Sequence, residues 1–504
     1  MKKIYCFLFS FLLFALLSQR LYGLDVSGFI STDTNWGPEQ VNVTGNLSIS
    51  ATVTIAAGTR IVVANQVKIT VNDTGSILAN GTTGNEIVFT AATPSVGWRG
   101  IYFNSGTGDD VLSSFEYTRF EYGKADGTGV EETSGGAVYL KYHSNTVFHN
   151  CTFENNEAKS YGGAINSSYS QLVLENCVFI SNLINEYDGG GAIHIFNSDG
   201  HELKIENCSF YNNTASTGGA IHAEFAGGLT VSGSVFANNE SNYGSAVTIS
   251  QSSSINISFI SNTFVNNLAN NSAGAVFNVS SYTENILFVN NIIYGNENGS
   301  GNPAAIDFGS EPSIPVFRNC LIEGGLASVI GLPVDYTWTG MVDDDPEFVA
   351  PSGGIGLFAD GSVANWQLSE QSPCINSGTE DVSGLGLPLT DLAGNARIQQ
   401  GRIDKGALES AFVSTGIAAS LADKADFKIW YRHDAGQIVI STDNKIRFTG
   451  VLYNITGALE VDKRPGNYQN QMTFSTSGLR KGIYVVTLFG QNGKVLNISK
   501  IVLN

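Results

Sequence analysis

Apolar and polar residues alternate along this chain in runs too short for anything but strands. In "LVLENC" Leu172 and Leu174 flank Val173, in "LKIENC" Leu203 and Ile205 flank Lys204, and in "LTVSGS" Leu229 and Val231 flank Thr230. Period two over so few residues predicts strands with one buried face. Stretches of good helix formers free of Gly, Asn and Ser are scarce.

The alternation is tied to a repeat. "GGAVYL" at 135 returns as "GGAINS" at 162, "GGAIHI" at 190 and "GGAIHA" at 218, then more weakly at 244, 273 and 304. The shared alanines Ala137, Ala164, Ala192, Ala220, Ala246, Ala275 and Ala305 lie 26 to 30 residues apart. A second block runs out of phase: "NCTFENN" at 150, "NCVFISN" at 176, "NCSFYNN" at 207, decaying to "NCLIEGG" at 319. Short strands returning at a fixed interval predict a coil whose turns stack strand on strand, rising about 4.8 Å each time. The expected fold is therefore all-β, a right-handed parallel β-helix of the pectate lyase-like kind over residues 24–340.

Stacking assigns a place to each repeated residue. Phe148, Leu174, Ile205, Val231, Phe259, Phe288 and Phe317 should form one inward column, and Phe153, Phe179, Phe210, Phe236, Phe264, Ile293 and Ile322 another. The paired glycines suit a tight corner. Asn150, Asn176, Asn207, Asn290 and Asn319 fall at one bend, where stacked amides are expected to bond from coil to coil. Cys151, Cys177, Cys208 and Cys320 follow as small core residues. Their wide intervals lack the close pairs that a structural zinc site uses.

Composition narrows the compartment and the partners. Lys2 and Lys3 precede an apolar run from Ile4 to Leu17, which reads as a signal peptide over residues 1–23. A retained anchor is the alternative, and no later run is long and apolar enough to span a bilayer. Of six cysteines Cys6 leaves with the signal, and five cannot complete a disulfide framework. A net charge of −19 argues against a nucleic-acid partner.

Known families share some of these motifs. The "GGAI" blocks alternating with "FxxN" blocks (Phe153 to Asn156, Phe210 to Asn213) resemble the repeats of chlamydial polymorphic outer-membrane proteins, surface β-helices that include adhesins. "SPCINSG" at 372, "TDLAGNARI" at 390 and "IDKGALE" at 403 are similar to the terminal cap of bacterial choice-of-anchor surface proteins, which implies a cap over 341–410. After a linker at 411–424, residues 425–504 give regularly spaced strands, as in a small β-sandwich. Gly478, Leu479, Gly482, Tyr484, Val486, Gly493, Lys494 and Lys500 closely resemble the sorting domain of Bacteroidetes type IX secretion. That resemblance implies a partner in the type IX machinery and export across the outer membrane of a Gram-negative bacterium, to the cell surface or the medium.

Candidate chemistry is sparse. Between Arg119 and Arg318 there is no arginine to act as a lyase base, and the signatures of polygalacturonases are missing. The acidic trio Asp343, Asp344 and Asp345 invites a calcium ion, the one cofactor considered; an exposed loop before Pro346 is the simpler account. The best local candidate comes from register. With Ile193 and Ile221 inward, His194 and His222 face outward on adjacent coils, in a column Tyr139, Asn166, His194, His222, Thr248, Phe277, Asp307. Glu224 and Phe196 occupy the neighbouring outward positions. Two imidazoles beside a carboxylate suit a metal or a proton shuttle, aromatic and polar groups together suit a sugar, and an exposed sheet also tolerates any polar or aromatic residue without a function. The expected role is a surface module that binds or displays, towards glycans; a polysaccharide lyase or glycosidase on the same scaffold is the alternative.

Overall fold

The computed structural model describes residues 23–105, 111–142, 145–186, 189–196, 203–224, 228–250, 256–280, 285–309, 314–399, 402–412, 427–432, 435–446, 448–454, 459–463, 469–489 and 495–503. The signal segment, His201, Gly493 and Lys494 fall outside them. The chain divides into two compact units at residues 413/414.

The first unit is a parallel β-helix. One coil contributes the strands Ile193–Phe196, Leu203–Glu206 and Ser209–Tyr211, and the next begins at Ile221–Glu224. Each strand pairs in parallel with its counterparts on the coils before and after, which produces three long faces. Side chains alternate across each strand, so every second residue of each face points into one continuous core. Both expected columns are present. Phe148, Leu174, Ile205, Val231, Phe259, Phe288 and Phe317 are in register and buried, as are Phe153 to Ile322 on the third face. The rings of Phe153, Phe179, Phe210, Phe236 and Phe264 lie nearly parallel at 4.5–4.8 Å.

Two corners flank the third face, and they correct the expected asparagine stack. Asn150, Asn176, Asn207, Asn290 and Asn319 all take a left-handed backbone, φ 48 to 56°, which asparagine tolerates better than most residues. The amide ladder runs instead through one asparagine per coil at the far corner, the second of an "NN" pair in four of six cases. Asn156, Asn182, Asn213, Asn239, Asn267 and Asn296 are buried, and each side-chain nitrogen through Asn267 donates to the next Oδ1 at 2.9–3.0 Å. The same nitrogen donates to a phenylalanine carbonyl, and the next Oδ1 also accepts a backbone N–H, as for Asn213. The polar atoms are thus satisfied in a dry interior. The cysteines at the first corner are core residues: Cys151, Cys177, Cys208 and Cys320 are buried free thiols, as is Cys374.

A second correction concerns register. Val247 pairs with Phe277 and Thr248 with Asn278, so Phe277 points inward and Asn278 holds its expected outward place. One extra residue separates Ala275 from its strand, and Val276 takes the position that alanine holds on other coils.

Residues 341–410 pack mainly along the side of the coils. Trp338, packed on Phe317 at 5.0 Å, covers the last coil with Leu332 and Met341. The chain then runs back along the third face, where Trp366, Leu368, Cys374, Ile375 and Ala407 bury Val235, Ala237, Val265, Ile292 and Leu321. The left-handed asparagines anchor this layer: Asn212 and Asn238 donate to the carbonyls of Ala359 and Gly354, and Asn207 accepts from the Arg397 guanidinium. Asp343 and Asp345 accept the backbone N–H groups of Gly324 and Glu347.

The second unit comprises two antiparallel sheets. One joins Phe427–Arg432, Gln437–Ile446 and Gln469–Ser475; the other joins Leu459–Lys463, Thr449–Asn454, Gly482–Phe489 and Val495–Leu503. They enclose Ile438, Ile440, Leu452, Phe474, Val486 and Leu488.

Candidate functional site

The site on the first face begins with its glycines. Gly162, Gly190 and Gly218 have φ of 62 to 80°, and a methyl at Gly190 would lie 2.1 Å from the Ile193 carbonyl. No other residue fits such a turn comfortably. The turn folds the preceding residue back over the outward side of its neighbour: Tyr161 reaches His194, ring centroids 4.5 Å apart, and Gly189 meets His222.

Register then brings the candidates together. His194 pairs with His222, and Phe196 with Glu224. The two imidazoles stand edge to face at 5.2 Å, and Glu224 Oε2 lies 3.6 Å from His194 Nε2. His194 Nδ1 is 2.9 Å from Asn166 Oδ1, so a proton on Nδ1 would be donated there. His222 Nε2 sits 2.9 Å from Ser250 Oγ.

Burial differs from what an outward position suggests. His194 is 2% exposed, closed in by Tyr161, Asn166, Phe196 and His222. Burial, with a smaller contribution from His194, pushes the His222 imidazole down to about 3. His222 is therefore neutral at physiological pH and hydrogen-bonds rather than carrying charge. Among the described residues, no group of three or more His, Cys, Asp or Glu is placed to hold a metal ion.

The accessible part of the site is aromatic. Tyr142, Tyr169 and Phe196 follow one another on successive coils, with centroids 4.7 and 5.6 Å apart, and Tyr142 is 47% exposed. Lys141 lies 6.0 Å from the Tyr142 ring and pairs with Glu131 at 2.5 Å. One column over, the Tyr102 and Tyr139 rings meet at a tilt of 51°, centroids 5.3 Å apart. Sequence reasoning named Phe196 but passed over Tyr142, Tyr169, Tyr161 and Gly189. The 27-residue interval between Tyr142 and Tyr169 was the available signal, hidden because both stand at a bend outside the strands.

In the second unit, Gly478 takes a φ of 89°, and the Tyr484 hydroxyl donates to the Arg480 carbonyl at 2.8 Å. Leu479 packs against the core, while Gly482 and Lys500 are exposed. No described helix is long and apolar enough to cross a membrane.

Comparison with known proteins agrees with this architecture. A relative from Dictyostelium discoideum, "Metabotropic glutamate receptor-like protein R", is 32% identical over 195 residues, 39% of this chain. The chain spans only 11% of that protein's length. The family model described as "Right handed beta helix region" matches residues 56–214 and 136–320. Those matches cover more than half of the 504 residues along the coils described above, and the chain belongs to the right-handed β-helix family.

Proposed function

We propose that this protein is an exported β-helix that binds glycans at a cell surface, through the first face of its coils. The observation that carries the reading is the row Tyr142, Tyr169 and Phe196, set beside the hydrogen-bonded His194, His222 and Glu224. Ring edges and faces offer apolar contact to sugar C–H groups, while Glu224, Lys141 and Ser250 supply polar partners. The receptor-like name of the Dictyostelium relative accords with a binding role. A glycan array probed with the full-length protein tests the reading, and an array without signal removes it.

The enzyme alternative rests on the His194–Glu224 pair, which has the makings of an acid–base dyad. Burial of His194 weighs against it, because a substrate proton must come within reach of the ring. Release of unsaturated, ultraviolet-absorbing ends from acidic polysaccharides would favour the enzyme.

Delivery is a further part of the proposal. Residues 1–23 serve as the signal peptide, and Gly478, Leu479, Gly482, Tyr484, Gly493, Lys494 and Lys500 as the sorting signal read by type IX secretion machinery in a bacterium of the Bacteroidetes. Deletion of residues 425–504 should retain the protein inside the outer membrane; undiminished export would refute this part.

A further inference from the structure

The layer that runs back along the third face stops one coil short of the apolar surface it covers. Outward positions on this face are polar at first, Arg119 with Glu121 and then Thr152 with Glu154. They become apolar at Val178 and Ile180, and remain largely so through Tyr211, Val235 and Val265. Trp366, Ala407 and their neighbours bury Val235 and Val265, whereas Val178 and Ile180 remain half-buried at the margin. A cleft of about 350 Å³ opens at this step, a size suited to a small ligand.

Its chemistry is specific. Val178, Tyr211, Trp366 and Leu392 supply an apolar floor and wall. Asn176, Asn365 and Gln367 stand exposed at the rim, Asn176 held out by its left-handed corner, φ 54°. Among the described residues, no charged side chain lines the cleft. Burial pushes the Tyr211 phenol up, so it stays a neutral hydroxyl.

We propose that this cleft is a saccharide-binding site for a neutral sugar ring, separate from the first face. Primary amides each donate and accept, as sugar hydroxyls do, while a ring's C–H face matches the apolar floor. A charged sugar would find no counter-charge, and a purely apolar ligand would leave the amide rim without partners.

Trp366 lines the cleft, so its fluorescence reports occupancy. Full-length protein is titrated with cello-, xylo-, manno- and malto-tetraose, and with tetragalacturonate as the charged control. A saturable change with at least one neutral sugar and none with the uronate is expected. Ala393→Phe, which fills the cleft from an exposed position, and the surface pair Asn176→Gly with Gln367→Ala, in which glycine keeps the left-handed corner, should each weaken that binding at least 10-fold at unchanged Tm. His194→Ala with His222→Ala should leave it intact, which separates this site from the first face. The proposal is overturned if no neutral sugar gives a change, if the uronate is preferred, or if binding survives both cleft variants.

Discussion

Gly189 and His222, on adjacent coils, share a space that holds only one of their side chains. A methyl group built on Gly189 would lie 2.0 Å from His222 Nδ1 and 2.8 Å from its Cβ. The missing side chain at 189 is what lets the imidazole lie down beside His194. Gly189→Ala should therefore displace His222 and cost about 1–3 kcal/mol, as overpacking does. In a double-mutant cycle with His222→Ala the two losses should fall well short of additive; full additivity in denaturant melts would show that the contact carries no energy.

Acid should act on the same ring. The folded state holds His222 down to about 3, against 6.5 for the free side chain. Between those values the unfolded chain binds a proton that the folded one refuses, so this group's contribution to stability is lost as pH falls from about 6.5 towards 3. The slope is at most about 1.4 kcal/mol per pH unit, less where solvent reaches the ring. His194 and Ser250 face the imidazole, and a wild-type comparison with His222→Gln leaves them in place. The wild type should lose more stability than the variant between pH 6.5 and 4. Parallel curves would contradict the burial.

Asn239 tests the amide ladder. Its Oδ1 accepts from the Asn213 backbone and side chain, and its nitrogen donates to the Phe210 carbonyl and to Asn267. Asn239→Ala strands several buried groups, at about 1–3 kcal/mol each, so a loss of at least about 3 kcal/mol is expected. A surface-sized loss below about 0.5 kcal/mol would mean that water replaces the amide.

Arg397 pins the returning layer. It is buried, 3.5 Å from Glu409, and donates to Asn207 Oδ1 and the Ala407 carbonyl. Burial pushes the Glu409 carboxyl up to about 8, so in Arg397→Ala it takes a proton rather than standing as a bare charge, and the lost hydrogen bonds should cost about 1–3 kcal/mol. Limited proteolysis should then cut within 344–410 while the coils stay intact. Unchanged cleavage would place the anchor elsewhere.

These residues also mark what could be read from sequence. The phenylalanine columns were legible because a strand has a fixed period and a stacked coil repeats it. The slip at Ala275 was not, since matching alanines by identity hides a one-residue insertion that flips Phe277 inward. The ladder was placed at the wrong corner because both corners carry asparagine. The "NN" pairs held the answer: the first residue takes the left-handed turn, and the second, one position on, must point inward. The cover over His194 also needs Tyr161 folded back at the Gly162 corner, and the returning layer arises from contacts distant in sequence; neither follows from the strand period.

The central claim is that the first face binds a glycan through its aromatic row. Calorimetric titration of a sugar selected on the array, into wild type and into Tyr142→Ala with Tyr169→Ala, tests it most directly. Saturable binding is expected in the wild type and at least a 10-fold loss in the double variant, with Tm changed by no more than a few degrees. Equal affinity in the two proteins would contradict it.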